Sequence, residues 1–373
     1  MKIAIACYPT YGGSGVIATE LGLALAERSH EIHFLSYQPP PRLGNTYRPG
    51  VHYHEVQVTA YPLFRYPPYD LALASKMVEV VCQYGVEIIH AHYAIPHSIA
   101  AVLAREMAGN GVKVLTTLHG TDVTLVGQDK SYLPATRYGL TRSDGVTAVS
   151  QHLADETNRL LCRECDISVI PNFVDTERYA PRPCAETRAL YGEKDEKILM
   201  HVSNFRPVKR TGDVVRIFAK VARHVPARLV LAGDGPDRPR AESVAQELGV
   251  GGRVHFLGQQ DAIEGLLACA DLFLLPSETE SFGLAALEAM ACGVPPVASA
   301  VGGLPEVVED GRSGILCPVG RVEEMAERAT ALLSDPAAHR AMSEAARLRA
   351  VERFDLSIGI AAYESVYREL LVS

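Results

Sequence analysis

Leu272-Phe273-Leu274-Leu275, then Pro276-Ser277-Glu278-Thr279-Glu280-Ser281-Phe282-Gly283, then Leu284-Ala285-Ala286-Leu287-Glu288-Ala289-Met290-Ala291-Cys292-Gly293 is the stretch on which the reading of this chain turns. Four consecutive apolar residues make a strand buried on both faces, a polar loop follows, and an apolar helical segment closes the unit. Glu280 stands just before the helix and Glu288 lies on it among apolar neighbours. A carboxylate in that setting is costly unless it accepts hydrogen bonds, and paired ribose or sugar hydroxyls would supply them. Gly283 would let the N–H groups at the helix start face a phosphate.

The same alternation runs outward to both ends. Strand-like runs at 3–7, 31–36, 86–92, 113–118, 145–150 and 168–170 are separated by amphipathic segments such as 16–28, 71–84 and 99–108. After Pro171 the series restarts, with strands at 197–202, 228–232, 254–257, 272–275, 296–298 and 315–317. Near-continuous apolar strands with helices between them predict parallel sheets covered on both faces. The fold class is therefore α/β, with two doubly wound Rossmann-like domains. The joint falls at Pro171-Asn172-Phe173-Val174-Asp175, which divides the chain into 1–171 and a second domain beginning at 172. Open parallel sheets bind ligands at the carboxyl ends of their strands, so a cleft between two facing sheets is the expected site. The Pro-rich region 39–49 and the Tyr/Pro run 61–69 read as long surface loops.

Composition narrows the function classes. The 373 residues carry 36 Lys+Arg against 44 Asp+Glu, a net charge of −8, with 47% hydrophobic and 21% charged residues. That is globular composition of two-domain size, not a disordered or fibrous chain. The acidic balance argues against nucleic-acid binding, and no apolar run is long enough to span a membrane. Met1-Lys2-Ile3-Ala4-Ile5-Ala6-Cys7 is too short an apolar stretch for a leader and reads as the first strand. Cysteines at 7, 82, 162, 165, 184, 269, 292 and 317 lie mostly in apolar segments. They suit small buried hydrophobes of a reducing cytosol better than a disulfide framework, so a cytoplasmic location is expected. Cys162 and Cys165 form a C-x-x-C without a second pair, which does not read as a zinc or redox motif.

Gly12-Gly13-Ser14-Gly15 follows the first strand and opens the first helix, where glycines admit a ligand close to the backbone. The usual third glycine of G-x-G-x-x-G is missing, with Ile17 and Ala18 in its place. Thr116-Thr117-Leu118-His119-Gly120-Thr121-Asp122 ends a strand as a polar rim, or more plainly as a turn with Asp122 as its N-cap. His90-Ala91-His92-Tyr93 ends another, and one of its histidines is expected to be simply packed, because strand residues alternate faces. Ser203-Asn204-Phe205-Arg206-Pro207-Val208-Lys209-Arg210 sets three cations at a strand end, either a grip for a diphosphate or a solvated loop. Val301-Gly302-Gly303-Leu304-Pro305-Glu306 adds a glycine turn before a helix.

Together these residues resemble the retaining glycosyltransferases of family 4, which have the two-domain GT-B fold. Glu280 and Glu288, around Ser281-Phe282-Gly283, match that family's E-x₇-E motif. The resemblance implies that Glu280 approaches the donor-sugar hydroxyls, Glu288 holds the nucleotide ribose and Lys209 meets the diphosphate. The family often has Arg five residues before that Lys; Asn204 stands there in this chain, and Arg206 is the candidate for the missing charge. The implied donor set is Gly13, Ser14, Gly15, Asn204, Arg206, Lys209, Glu280, Ser281, Phe282, Gly283, Leu284 and Glu288. In the resembling fold the C-terminal segment returns to the first domain, so the domains are expected at 1–171 plus 355–373 and at 172–354.

The first-domain stretches Cys7-Tyr8-Pro9, His92-Tyr93-Ala94-Ile95-Pro96-His97 and Thr116 to Asp122 are similar to a narrower subgroup. Its members move N-acetylglucosamine from UDP-GlcNAc to the hydroxyl of L-malate, at the start of bacillithiol synthesis. The similarity implies UDP-GlcNAc as donor and L-malate as acceptor. Two carboxylates on malate call for hydrogen-bond donors and a cation, for which Ser14, Tyr93, Thr117 and Arg137 are candidates, with Arg65 as second choice. His119 would orient the sugar or stabilise positive charge, completing a catalytic set with Lys209 and Glu280. No Asp-x-Asp metal motif is present, so neither a metal nor another cofactor is expected. Nucleic acid and membrane are not expected partners, and the sequence leaves a homo-oligomer open. The rival readings are a family-4 enzyme with another sugar, polyol or lipid acceptor, and a non-catalytic nucleotide-sugar-binding protein.

Overall fold

The computed structural model describes every residue except 11, 45, 46, 110, 164, 194 and 373, so two positions of the expected 39–49 loop lie outside the described residues. The chain divides into two compact units, one of Met1–Asn172 with Gly359–Ser373 and one of Phe173–Ile358. The first unit holds β1 (Lys2–Ala6), β2 (Glu31–Ser36), β3 (Val51–Glu55), β4 (Ile88–His92), β5 (Lys113–Leu118), β6 (Gly145–Ala148) and β7 (Ile167–Val169). They form one parallel sheet in the order β3-β2-β1-β4-β5-β6-β7. The second unit holds β8 (Lys197–Val202), β9 (Ala227–Ala232), β10 (Val254–Phe256), β11 (Leu272–Leu275), β12 (Pro296–Ser299) and β13 (Ile315–Cys317). These are also parallel, in the order β10-β9-β8-β11-β12-β13.

Both sheets reverse their winding beside the first strand of the unit, at β1/β4 and at β8/β11. Loops leaving neighbouring strands there turn to opposite faces, which opens a crevice at the carboxyl ends. The cores explain the strand composition. In the second unit Leu199, Leu229, Leu231, Leu272 and Leu274 pack with Val214, Val215 and Phe218 of the helix Thr211–Val221. In the first, Ala4, Ala6, Ile89, Ala91 and Val114 share a core with Leu73, Met77 and Val80 of the helix Tyr69–Tyr84. Each fully buried Leu, Ile or Phe contributes roughly 1.5–3 kcal/mol relative to exposure.

Three features depart from the sequence reading. The strand β3, Val-His-Tyr-His-Glu, is not among the expected ones; it is a half-exposed edge strand and needs no apolar run. The strand expected at 145–150 stops at Ala148, and Ser150 instead caps the helix Gln151–Leu160 by accepting the Leu153 N–H at 3.2 Å. Cys162 and Cys165, expected as plain buried hydrophobes, are joined in a disulfide, since the turn after that helix sets their Cα atoms 5.5 Å apart.

The final helix, Leu356–Val372, passes into the first unit from Gly359 onward. Its Tyr367 is fully buried there, with its hydroxyl 2.8 Å from His90 Nδ1. Where the chain enters and leaves the second unit, the two strands of polypeptide run side by side. Val174 N–H donates to the Phe354 carbonyl and Leu356 N–H to the Val174 carbonyl, both at 2.9 Å. No helix among the described residues is long and apolar enough to cross a membrane.

Candidate active site

At the carboxyl ends of β8 and β11 the structure brings together two of the residues the sequence singled out, Lys209 and Glu280. The loop after β8 carries Lys209 and the loop after β11 carries Glu280. The Glu278 N–H donates to the Val208 carbonyl at 2.7 Å, locking the two loops together. Lys209 Nζ lies 2.5 Å from Glu280 Oε1, which also accepts from the Ser277 hydroxyl at 3.0 Å. Behind them His201 donates from Nδ1 to the Leu274 carbonyl at 2.8 Å, so its Nε2 accepts from the Ser203 hydroxyl at 2.7 Å. Burial pushes His201 down to about 4, which keeps this ring neutral beside the cation.

Glycines shape the same crevice. Gly302 has φ +60°, and a Cβ there would fall 1.7 Å from the Glu280 carbonyl oxygen. Only a bare backbone lets that turn close on Glu280, and the Gly303 N–H then donates to the Glu280 carbonyl at 3.0 Å. Gly283, at φ +96°, starts the eight-residue helix Leu284–Ala291, and a Cβ there would fall 2.4 Å from Leu304 Cδ2. Glu288 is on that helix and buried.

In the first unit the loops after β1, β4 and β5 assemble a cluster of rings. His92 Nδ1 and His119 Nε2 are 3.0 Å apart, so one ring donates and the other accepts. Tyr93 stacks on His119 at 6.2 Å between centroids and meets Tyr8 edge-on at 5.2 Å. Tyr8 in turn meets His97 edge-on at 4.6 Å. Burial, with His97 adding to it, pushes His119 down to about 3, and burial takes His97 to about 3 as well. These imidazoles are neutral at pH 7. His92 Nε2 and both ring nitrogens of His97 are buried without a partner among the described residues. Tyr93 holds φ +100°, a strained conformation for a bulky residue and of the kind that collects at functional sites.

Asp122 fixes this arrangement. It is fully buried and accepts the N–H groups of Ala94 at 3.1 Å, His119 at 3.2 Å and Gly120 at 2.7 Å. Burial pushes its carboxyl up to about 6, against the downward pull of those three N–H groups. It is not the N-cap the plainer reading gave: it lies inside the short helix Thr121–Thr124 and ties the β4 and β5 exit loops together.

Other residues are placed as follows. Gly13 is exposed, Ser14 half-buried and Gly15 buried at the start of the helix Gly13–Glu27. Asn204 and Arg206 are exposed, while Ser281 and Leu284 are half-buried. The Phe282 ring is buried edge-on against Phe354 at 5.8 Å, so only its backbone is presented at the helix start. Thr117 is fully buried, and its hydroxyl is 2.7 Å from His90 Nε2 and 2.6 Å from Thr147 Oγ1. It joins the core network of Tyr363 and Tyr367 instead of the rim, because it faces the same way as His90. Arg137 is exposed on the helix Leu133–Arg142 and donates to the Leu160 carbonyl at 3.3 Å. Arg65 is exposed and lies over the Tyr66 ring at 5.5 Å. The two histidines of β4 also correct the alternation argument. Residues two apart share a face, and both His90 and His92 are fully buried with ring centroids 4.1 Å apart. Tyr8, His97 and the loop-tying role of Asp122 were missed. All three residues lie in the quoted motifs, but only folding brings them together.

Two doubly wound units, one with a lysine–glutamate pair and glycine turns at its switch point, define a glycosyltransferase of the GT-B class. Residues 11–178 match the family described as Glycosyltransferase Family 4, and residues 185–349 match Glycosyl transferases group 1. The chain belongs to the family-4 glycosyltransferases. It is 49% identical over all of its length, and 97% of the relative's, to N-acetyl-alpha-D-glucosaminyl L-malate synthase of Bacillus anthracis. It is 30% identical, over 76% of each chain, to a GDP-mannose-dependent alpha-(1-6)-phosphatidylinositol monomannoside mannosyltransferase of Mycolicibacterium smegmatis. Among solved structures it is similar to a sucrose-phosphate synthase from Thermosynechococcus elongatus, with TM-score 0.83 and 25% identity over 100% of this chain and 99% of that one.

Proposed function

We propose that this enzyme transfers N-acetylglucosamine from UDP-GlcNAc to the hydroxyl of L-malate with retention at the anomeric carbon, as the first step of bacillithiol synthesis in the cytoplasm. The observation that carries the reaction class is the Lys209–Glu280 pair at the β8/β11 switch point. The acceptor reading draws on the full-length likeness to the malate synthase of Bacillus anthracis.

Each residue has a physical task in this reading. The diphosphate of the donor takes Lys209 from Glu280, and the freed carboxylate accepts hydroxyls of the transferred sugar. Lys209, the N–H groups at the start of Leu284–Ala291 and the exposed Arg206 stabilise the charge that grows on the departing diphosphate. Glu288 accepts the ribose hydroxyls. The bond from the anomeric carbon to the diphosphate breaks, the malate hydroxyl oxygen attacks from the same face, and its proton passes to the diphosphate oxygen. His119, neutral and ordered by His92 and Asp122, orients the sugar without competing for that proton. Charge stabilisation by these groups leaves no step that requires a metal.

Turnover of UDP-GlcNAc with a panel of hydroxy acids, read by mass spectrometry, tests the reading. A charged hydrogen bond contributes roughly 1.5–3 kcal/mol, so L-malate should exceed lactate about 10–150-fold in kcat/KM. Equal rates for the two acids would overturn the malate assignment. Glycosylation of inositol phosphates or phosphatidylinositol in place of malate would move the enzyme to another acceptor class. UDP release no faster than in buffer would leave only a binding protein.

A further inference from the structure

At the other end of the first sheet, near the amino ends of its edge strand β3 and the neighbouring β2, lies a second group of chemistry-bearing side chains. Glu31 and His33 are on β2, and His52 and His54 on β3, with His33 directly opposite His52 in the parallel register. His33 Nε2 is 3.2 Å from Glu31 Oε1, and His52 Nε2 is 3.8 Å from the same oxygen. The three ligand atoms of Glu31, His33 and His52 all lie within 4.8 Å of one another. On the far side of its ring His33 Nδ1 is 2.9 Å from His54 Nε2. Glu31 uses its other oxygen for Lys2, at 3.3 Å, which leaves Oε1 turned toward the imidazoles.

We propose that Glu31, His33 and His52 form a binding site for a divalent transition-metal ion of the zinc type, with His54 orienting His33 from behind. Zinc bonds of about 2.0–2.2 Å in tetrahedral geometry set donor atoms roughly 3.3–3.6 Å apart, and the two separations to Glu31 Oε1, 3.2 and 3.8 Å, bracket that distance. Two imidazoles and a carboxylate suit such an ion, and a metal-bound His33 Nε2 puts the ring proton on Nδ1, where His54 accepts it. The site has one rigid wall and one adaptable one: His33 is fully buried, whereas the side chain of His52 is 43% exposed, stacks on the His33 ring at 4.7 Å, and would turn from that stack to bring its Nε2 onto the ion. Access is from solvent along the sheet edge. Such an ion would clip β3, an edge strand of low apolar content, to β2, and takes no part in sugar transfer.

Calorimetric titration of the tag-free, chelator-treated full chain with ZnCl₂ tests this, together with the absorption spectrum of the same chain loaded with Co²⁺. The expected result is one equivalent bound and a tetrahedral cobalt spectrum, with a rise in Tm on adding zinc. His52→Ala, a change at an exposed position that the fold tolerates, should weaken zinc binding more than about 100-fold, and His54→Ala about 10–100-fold. Malate transfer by His52→Ala without metal should match the parent chain. No stoichiometric zinc binding by the parent chain would overturn the proposal. So would unchanged affinity and cobalt spectrum in His52→Ala.

Discussion

The two units share one strand order at their switch points and put different chemistry there. In the second unit the crevice is lined by opposite charges, Lys209 against Glu280, on loops locked by the Glu278–Val208 bond. In the first it is lined by neutral rings, His92, His97, His119, Tyr8 and Tyr93, ordered by a single buried carboxylate. A scaffold built to expose loops at its strand ends leaves the chemistry to those loops. Charge suits a leaving diphosphate. Neutral, oriented rings suit a sugar and an acceptor whose proton must go elsewhere.

The sharpest test of the charged crevice is Lys209→Ala. If Lys209 meets the leaving diphosphate as proposed, removing the cation should lower kcat about 10²–10³-fold while the chain stays folded. An unchanged kcat at saturating donor would break the contrast at its charged end. Glu288→Gln should weaken UDP binding by about 10–150-fold, the worth of a charged hydrogen bond, and calorimetry with UDP alone isolates that effect from the chemistry.

Thr117→Val probes the neutral crevice. With its hydroxyl spent on His90 and Thr147, the substitution should cost about 1–3 kcal/mol of stability, measured by urea unfolding, and leave KM for malate within about twofold. A large rise in KM at unchanged stability would return Thr117 to the acceptor site. The smallest expected effect is a graded one. His90, His97 and His119 are held near 3 in the folded first unit, whereas an unfolded histidine titrates near 6.5. The unfolded state therefore binds more protons below about pH 6.5, and the stability these rings confer is lost as pH falls toward 3. Asp122, raised to about 6, acts in the opposite sense between about 6 and 4, but it is one group against three. Peptide-resolved hydrogen exchange at about pH 5 should show the first unit opening before the second, where among the described residues His201 is the comparable buried histidine. The reverse order would sink the idea.

Much of this was legible because it rests on local pattern. Apolar runs such as Leu272–Leu275, bounded by loops and helices, give parallel strands whatever their neighbours. The glutamates around Gly283 and the cations after β8 stand out because polar residues at buried strand ends need a reason. The edge strand β3 was not legible, since a strand paired on one side carries no apolar signature. Thr117, on β5, and Arg137, on the helix Leu133–Arg142, have residue types that suit a carboxylate, but type does not say which way a side chain points.

Sequence by itself therefore determined the class: two parallel α/β domains with a glutamate pair and a loop of three cations in the second. Tertiary structure decided which polar residues meet. It sent Thr117 into a network with a tyrosine helix from the far end of the chain and set Tyr8 against His97. It also joined Glu31 to His52 across two strands. Strand and helix periods are local and survive in any context, whereas hydrogen bonds between residues far apart in the chain exist only once strand order and register are fixed.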